Sequence, residues 1–120
     1  MGVRFYLRVQ DVTDDWVDNG CGGPLAREYD RLERLVRKQG HRPLMDFYVP
    51  DPEERAGNDK DEWFNPMEGL SVIEAMIRAA EERKHEFADY ERLREDLDDF
   101  RVVLDKAASL GKRWNLAMDT

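Results

Sequence analysis

The stretch VRFYLRV at residues 3–9 decides the fold, because apolar side chains occupy its first, third, fifth and seventh positions. This period of two is typical of a strand with one face buried. The stretch WNLAM at residues 114–118 shows a similar alternation. We therefore expect a strand near each end of the chain, and we expect the two strands to pair.

Helical periodicity occupies most of the chain between these strands. Residues 24–40 predict a first helix, with Pro24 in its first turn, Gly40 at its end and apolar residues at spacings of four, three and four. The segment 69–111 has no glycine or proline between its ends, yet one helix of that length would run about 60 Å. Its apolar register also slips near residues 85–89, so we expect two helices there.

Residues typical of helix N-caps indicate where the helices begin. Two Asx-Pro-x-Glu units occur, at residues 51–54 and 65–68, and each combines a capping side chain with a proline at the first helical position. The first unit predicts a turn or two that end near Gly57. The second opens the second long helix. Asp89 is the expected cap of the third helix, which ends at Gly111.

A short apolar and aromatic run, LMDFYV at residues 44–49, predicts a third strand between Pro43 and Pro50. The element order is then β-α-β-α-α-β. We expect a single α+β domain over residues 1–120, in which a small, mostly antiparallel sheet with paired terminal strands packs against three helices. Which strand is central stays open.

The amino-acid composition argues against several classes of protein. The 120 residues are 41% hydrophobic and 38% charged, with 19 Lys and Arg against 27 Asp and Glu, for a net charge of −8. A membrane span needs about 18 consecutive apolar residues, and no run approaches that length. The single cysteine excludes an internal disulfide framework, and the first residues lack a secretory apolar run. These features predict a soluble cytoplasmic protein, and the acidic balance argues against nucleic-acid binding.

Cys21 is a candidate nucleophile or redox sensor. It lies in the glycine-rich run at residues 19–23, just before the first helix, where a helix N-terminus lowers the pKa of a thiol. A nucleophile also needs a base, and the two histidines, His41 and His85, lie elsewhere in the sequence. A lone cysteine is more often a small buried hydrophobe.

Asp46 interrupts the apolar run at residues 44–49, and alternation groups it with Leu44 and Tyr48. It is either a perturbed acid in a cleft or an ordinary charge in an ion pair. Asp59, Asp61 and Glu62 do not follow the ligand pattern of a calcium loop, and the histidines lack metal-ligand spacing. The sequence therefore predicts no metal site and no cofactor.

Charge is unevenly distributed along the chain. Arg27, Arg31, Arg34 and Lys38 recur at four, three and four residues, on the side of the first helix opposite its apolar stripe. Acids dominate residues 11–18, 46–62 and 86–99. A basic face of this kind would suit a protein partner, contact between unlike patches of two copies in a homodimer, or a phosphate group.

The opposing interpretation is a solvated helix in which Asp30–Arg34 and Glu33–Arg37 pairs offset the positive charge. Trp16 and Trp63 lie in irregular segments. They either close the core or, if exposed beside acids, anchor an interface.

Three sequence motifs are similar to those of known proteins: GVxFYL at residues 2–7, RPLMDF at 42–47 and WFNPxxGL at 63–70. Together they resemble a group of small bacterial proteins without assigned function. The resemblance implies a bacterial cytosolic protein and transfers no catalytic residue.

The sequence favours a protein-binding module over an enzyme. Small size, acidity, uneven charge and the lack of a catalytic constellation are typical of an adaptor, a regulator or an immunity-type inhibitor. The alternative is a small-ligand binder or enzyme centred on Cys21 or Asp46.

Overall fold

The computed structural model describes residues 4–14, 16–17, 23–50 and 62–119. Its regular elements are β1 (Arg4–Val9), α1 (Gly23–Arg37), α2 (Pro66–Glu82), α3 (Tyr90–Ser109) and β2 (Trp114–Asp119). The α+β class and the order β-α-β-α-α-β are confirmed, with the middle β element reduced to one bridge.

The terminal strands pair as expected. β1 and β2 are antiparallel, in a register that runs from Arg4 opposite Asp119 to Val9 opposite Trp114. Phe5, Leu7 and Val9 are buried, whereas the residues between them are partly exposed. The apolar positions of the alternating pattern are therefore the residues on the buried face of β1.

The strand expected at residues 44–49 is wrong in detail. Residues Leu44–Phe47 form a 3-10 turn, in which the Asp46 N–H donates to the Pro43 carbonyl at 3.1 Å. Leu44 and Phe47 are buried and Asp46 is exposed, so burial follows a spacing of three rather than alternation. Only Tyr48 makes a bridge, parallel to Leu116.

β2 is the central strand. β1 borders one edge, and two loop segments border the other. The Val49 N–H donates to the Leu116 carbonyl at 3.0 Å, beside the bridge at Tyr48. Phe64 and Trp114 exchange two backbone hydrogen bonds, of 2.8 and 3.0 Å. The six-residue strand β2 is therefore hydrogen-bonded to backbone segments along both of its edges.

Helix boundaries follow the capping patterns closely. The Asn65 side chain accepts a hydrogen bond of 2.9 Å from the Met67 N–H, with Pro66 in the first turn of α2. The predicted break near residues 85–89 is confirmed, because α2 ends at Glu82 and a 3-10 turn follows at Lys84–Glu86. Asp89 is at the N-cap position of α3, but its side chain makes no capping hydrogen bond.

α1 and α3 are each followed, within three residues, by a glycine with positive φ. Gly40 has φ +86° after α1, and Gly111 has φ +67° after α3. In each case the next residue's N–H reaches back five residues, from His41 to Val36 and from Lys112 to Ala107. This is the Schellman arrangement, in which glycine avoids the steric cost that other residues have at positive φ.

Trp114 joins the sheet to the helices. Its side chain is fully buried, its ring lies 4.8 Å from that of Phe47, and its Nε1 donates to the Asn65 carbonyl at 3.2 Å. A Cβ built on Gly69 of α2 would lie 2.4 Å from a ring carbon of Trp114. Only glycine permits this approach of helix backbone to indole.

The variant Gly69→Ala tests whether the α2 backbone lies this close to the Trp114 indole. Helix propensity alone favours Gly69→Ala by about 1 kcal/mol, but the clash with the indole should reverse the sign. We expect a loss of about 1–3 kcal/mol in the free energy of unfolding, measured by urea denaturation. Ser71→Ala, at an exposed site of the same helix, is the control and should change stability by less than about 0.5 kcal/mol. A Gly69→Ala variant as stable as the wild type would contradict the packing.

Asp96 of α3 caps the first turn of α1 from a distance in sequence. Its Oδ2 accepts a hydrogen bond of 3.0 Å from the Leu25 N–H, an amide that a helix start leaves without an intrahelical partner. Burial raises the pKa of the Asp96 carboxyl, and the charges of Asp99 and Glu95 raise it further, against the opposing effect of the Leu25 hydrogen bond. The net direction is upward, so the fold disfavours the ionised form.

The raised pKa gives a pH-dependent prediction. Because the folded-state pKa of Asp96 lies above its ordinary value, the carboxylate reduces stability at neutral pH, and this cost disappears as the pH falls through the folded pKa. Asp96→Asn keeps an oxygen acceptor and removes the charge. It should therefore be more stable than the wild type at pH 7, with a difference that shrinks as the pH is lowered.

Asp96→Ala is the matched comparison, because it removes the acceptor together with the charge. We expect it to be about 1 kcal/mol less stable than Asp96→Asn in urea unfolding throughout the pH series. Equal stability of the two variants would show that the Leu25 cap is unimportant.

Candidate functional site

A basic groove opens between α1 and the turn that follows α2. Its volume is about 430 Å³. Its lining residues are Arg31, Arg34, Leu35, Arg37, Lys38, Arg83 and Glu86. Five of these seven side chains are cationic, although the chain as a whole has a net charge of −8.

The α1 wall of the groove follows from helical spacing. Arg31, Arg34 and Lys38 lie at intervals of three and four residues on the outward side of α1, as the sequence predicts. The opposite wall is formed by Arg83 and Glu86, which precede α3. The packing of α1 against α2 and α3 brings the two walls together.

Arg31 is fixed in place by residues of the turn. Its Nη1 donates to the Glu86 carbonyl at 2.6 Å, and its guanidinium carbon lies 5.5 Å from the centroid of the Phe87 ring. Phe87 is buried, so the ring is a rigid support. Backbone hydrogen bond and cation–π contact together hold one cationic side chain in a defined position.

The positive charge of the groove is only partly neutralised. The expected Glu33–Arg37 pair forms at 2.5 Å, and Arg83 pairs with the Glu86 carboxylate at 3.3 Å. The expected Asp30–Arg34 pair does not form. Within the described part of the chain, neither Arg34 nor Lys38 has an ion-pair partner. Of the five basic side chains, Arg37 and Arg83 are in ion pairs, which leaves three cations that make none among the described residues.

Sequence reasoning found part of this groove. Arg31 and Arg34 were candidate binding residues, and both line it. Arg27 does not; it lies one turn earlier, where its charge acts on Asp96. Arg83 was missed, because its role depends on how the turn after α2 folds back beside α1. Its place just before the predicted helix break does not by itself indicate contact with α1, so no local signal identifies it.

Asp46 is in an exposed ion pair. Its carboxylate lies 3.4 Å from Arg42 and its side chain is 47% exposed. Arg42 also lies 3.6 Å from Glu68, and its guanidinium carbon is 4.4 Å from the centroid of the Phe47 ring. Alternation predicted that Asp46 lies on the same face as Leu44, but Leu44 is buried and Asp46 is exposed. The exposure of Asp46 and its contact with Arg42 support the interpretation as an ordinary ion pair.

The two candidate tryptophans have different surroundings. Trp16 packs partly against the core, its Nε1 donates to Asp14 at 3.2 Å, and the Lys106 ammonium lies 4.8 Å from its ring. Trp63 is half-buried and, with Tyr6 of β1, lines a second groove of about 410 Å³. The structure does not bring either tryptophan into the basic groove.

Several sequence predictions lie outside the described residues. They include Cys21, the helical turn expected at residues 51–57, and most of the acidic segment 46–62. Among the residues that the structure does describe, no group of three or more His, Cys, Asp or Glu side chains is arranged to hold a metal ion. No helix in the same ranges has the length and apolar character needed to cross a membrane.

No protein family, curated protein or solved structure matches this chain. The resemblance to small bacterial proteins therefore stays a prediction.

The variant Asp46→Asn tests the conclusion that Asp46 forms an ordinary exposed ion pair with Arg42. Exposed ion pairs contribute little, so we expect Asp46→Asn to change the free energy of unfolding by less than about 1 kcal/mol. Thermal or urea unfolding measures this change. A loss of several kcal/mol would show that Asp46 has a structural role beyond the pair with Arg42.

Proposed function

We propose that the protein is a non-catalytic, cytoplasmic protein-binding module, an adaptor, regulator or inhibitor, that binds an acidic segment of another protein in the basic groove. The observation that supports this proposal is the unneutralised pair of Arg34 and Lys38 beside the fixed Arg31. Surface cations of helices are commonly paired with nearby acids. Here Arg34 makes no ion pair with Asp30, four residues before it in the sequence, and we expect Arg34 and Lys38 to attract an external anion.

The acidic remainder of the protein gives the groove its selectivity. A negatively charged partner is repelled by most of a surface with a net charge of −8, and it is attracted only where cations are in excess. Attraction at one place and repulsion elsewhere together define one orientation of docking. Nucleic acid fits less well, because a phosphate backbone needs a long basic surface.

A labelled acidic peptide tests the proposal. Fluorescence anisotropy with fluorescein-labelled hexaglutamate should show binding that weakens as salt is added. The double variant Arg34→Gln/Lys38→Gln should lower the affinity at least tenfold, about 1.4 kcal/mol. Both residues are exposed, so the variant is expected to fold, which a thermal melt verifies.

Arg78→Gln/Arg92→Gln is the matched control. Both of its residues are exposed and outside the groove, and it changes the net charge by the same amount. It should bind hexaglutamate within about twofold of the wild type. Equal weakening by both double variants would mean that net charge, rather than the groove, attracts the peptide, and would overturn the proposal.

A further inference from the structure

We infer that the acidic group bound in the groove is a phosphate monoester, carried on a phosphorylated side chain of the partner protein. This inference rests on the proposed function and specifies the chemistry of its ligand.

Charge balance favours phosphate over carboxylate. After the Glu33–Arg37 and Arg83–Glu86 pairs are counted, the groove retains an excess of three positive charges. One carboxylate supplies a single negative charge, whereas a phosphate monoester carries about −1.5 to −2 at pH 7. A phosphorylated side chain therefore neutralises most of the excess in one contact.

The donor geometry also suits phosphate. Guanidinium groups present paired N–H donors that match phosphate oxygens, and arginine clusters are the usual recognition element for phosphorylated side chains. Four of the five cations in the groove are arginines. Arg31 is already held by the Glu86 carbonyl and the Phe87 ring, so binding loses less side-chain freedom there than at a mobile arginine.

The size of the groove indicates more than a free ion. A space of about 430 Å³ is much larger than one phosphate group. It accommodates a phosphorylated side chain with part of the peptide that carries it. Leu35 contributes an apolar surface to the lining, which the carbon atoms of such a peptide can contact.

The test measures the binding of three probes to the 120-residue protein by NMR titration of ¹⁵N-labelled backbone amides. They are a phosphoserine hexapeptide, the same peptide with glutamate in place of phosphoserine, and inorganic phosphate. We expect the phosphopeptide to bind at least tenfold more tightly than each of the others. The largest shifts are expected at Arg31, Arg34, Lys38 and Arg83. The variant Arg34→Gln/Lys38→Gln should lose this binding, and Arg78→Gln/Arg92→Gln should retain it.

The pH dependence identifies the phosphate independently. The second pKa of a phosphate monoester is about 6, so the dianion becomes about fourfold more abundant between pH 5.5 and 7.5. Affinity for the phosphopeptide should rise accordingly, whereas affinity for the glutamate peptide should not. His85 lies in the Lys84–Glu86 turn, next in sequence to the groove residue Glu86. The series is therefore repeated with His85→Gln, so that the pH dependence is assigned to the phosphate rather than to this side chain.

The outcomes separate this inference from the proposed function. Equal binding of the phosphopeptide and the glutamate peptide, both lost in the groove variant, would overturn the phosphate inference and leave the proposed function standing. Inorganic phosphate that binds as tightly as the phosphopeptide would overturn the assignment to a partner's side chain. If the groove variant binds every probe as the wild type does, both proposals fail.

Discussion

The indole of Trp114 lies directly against the backbone of α2 at Gly69, and the arrangement of the other elements depends on this contact. The same residue pairs with Val9 on one edge of β2 and with Phe64 on the other. Through its backbone and its indole together, this one residue therefore connects the sheet, the second helix and the chain segment that leads into that helix. A glycine at position 69 is required because any side chain there would occupy the space of the indole.

A buried polar network secures the other face of β2. Asn115 is fully buried and uses both ends of its amide: Oδ1 accepts from Arg8 Nε at 2.9 Å, and Nδ2 donates to the Glu62 carbonyl at 3.0 Å. Arg8 also donates to the Val49 carbonyl at 2.8 Å. Since unpaired buried polar groups are costly, this network disfavours a shifted register of the strands. Satisfied hydrogen bonds thus add specificity to the apolar contacts of Trp114.

The sequence predicts the parts of this structure that depend on local pattern. The terminal strands, the three helices, the Asn65 cap and the break after α2 all follow from periodicity or from capping residues. The error at residues 44–47 arose because a short apolar run between two prolines fits both a strand and a 3-10 turn. The unpaired state of Arg34 and the inclusion of Arg83 in the groove depend on tertiary packing, which no local pattern encodes.

The position of the basic groove follows from helix packing, because α1 packs against α2 and α3 and so lies beside the turn after α2. From these contacts of β2 with α2 and with the segments at Val49 and Phe64, we expect β2 and the helices to unfold as one cooperative unit. Native-state hydrogen exchange tests it most directly. The amides of Val49, Phe64 and Trp114 should exchange with the same free energy as core amides of α2 and α3, the value for global unfolding. Exchange of these three amides at a much lower free energy, while the helices stay protected, would contradict the claim.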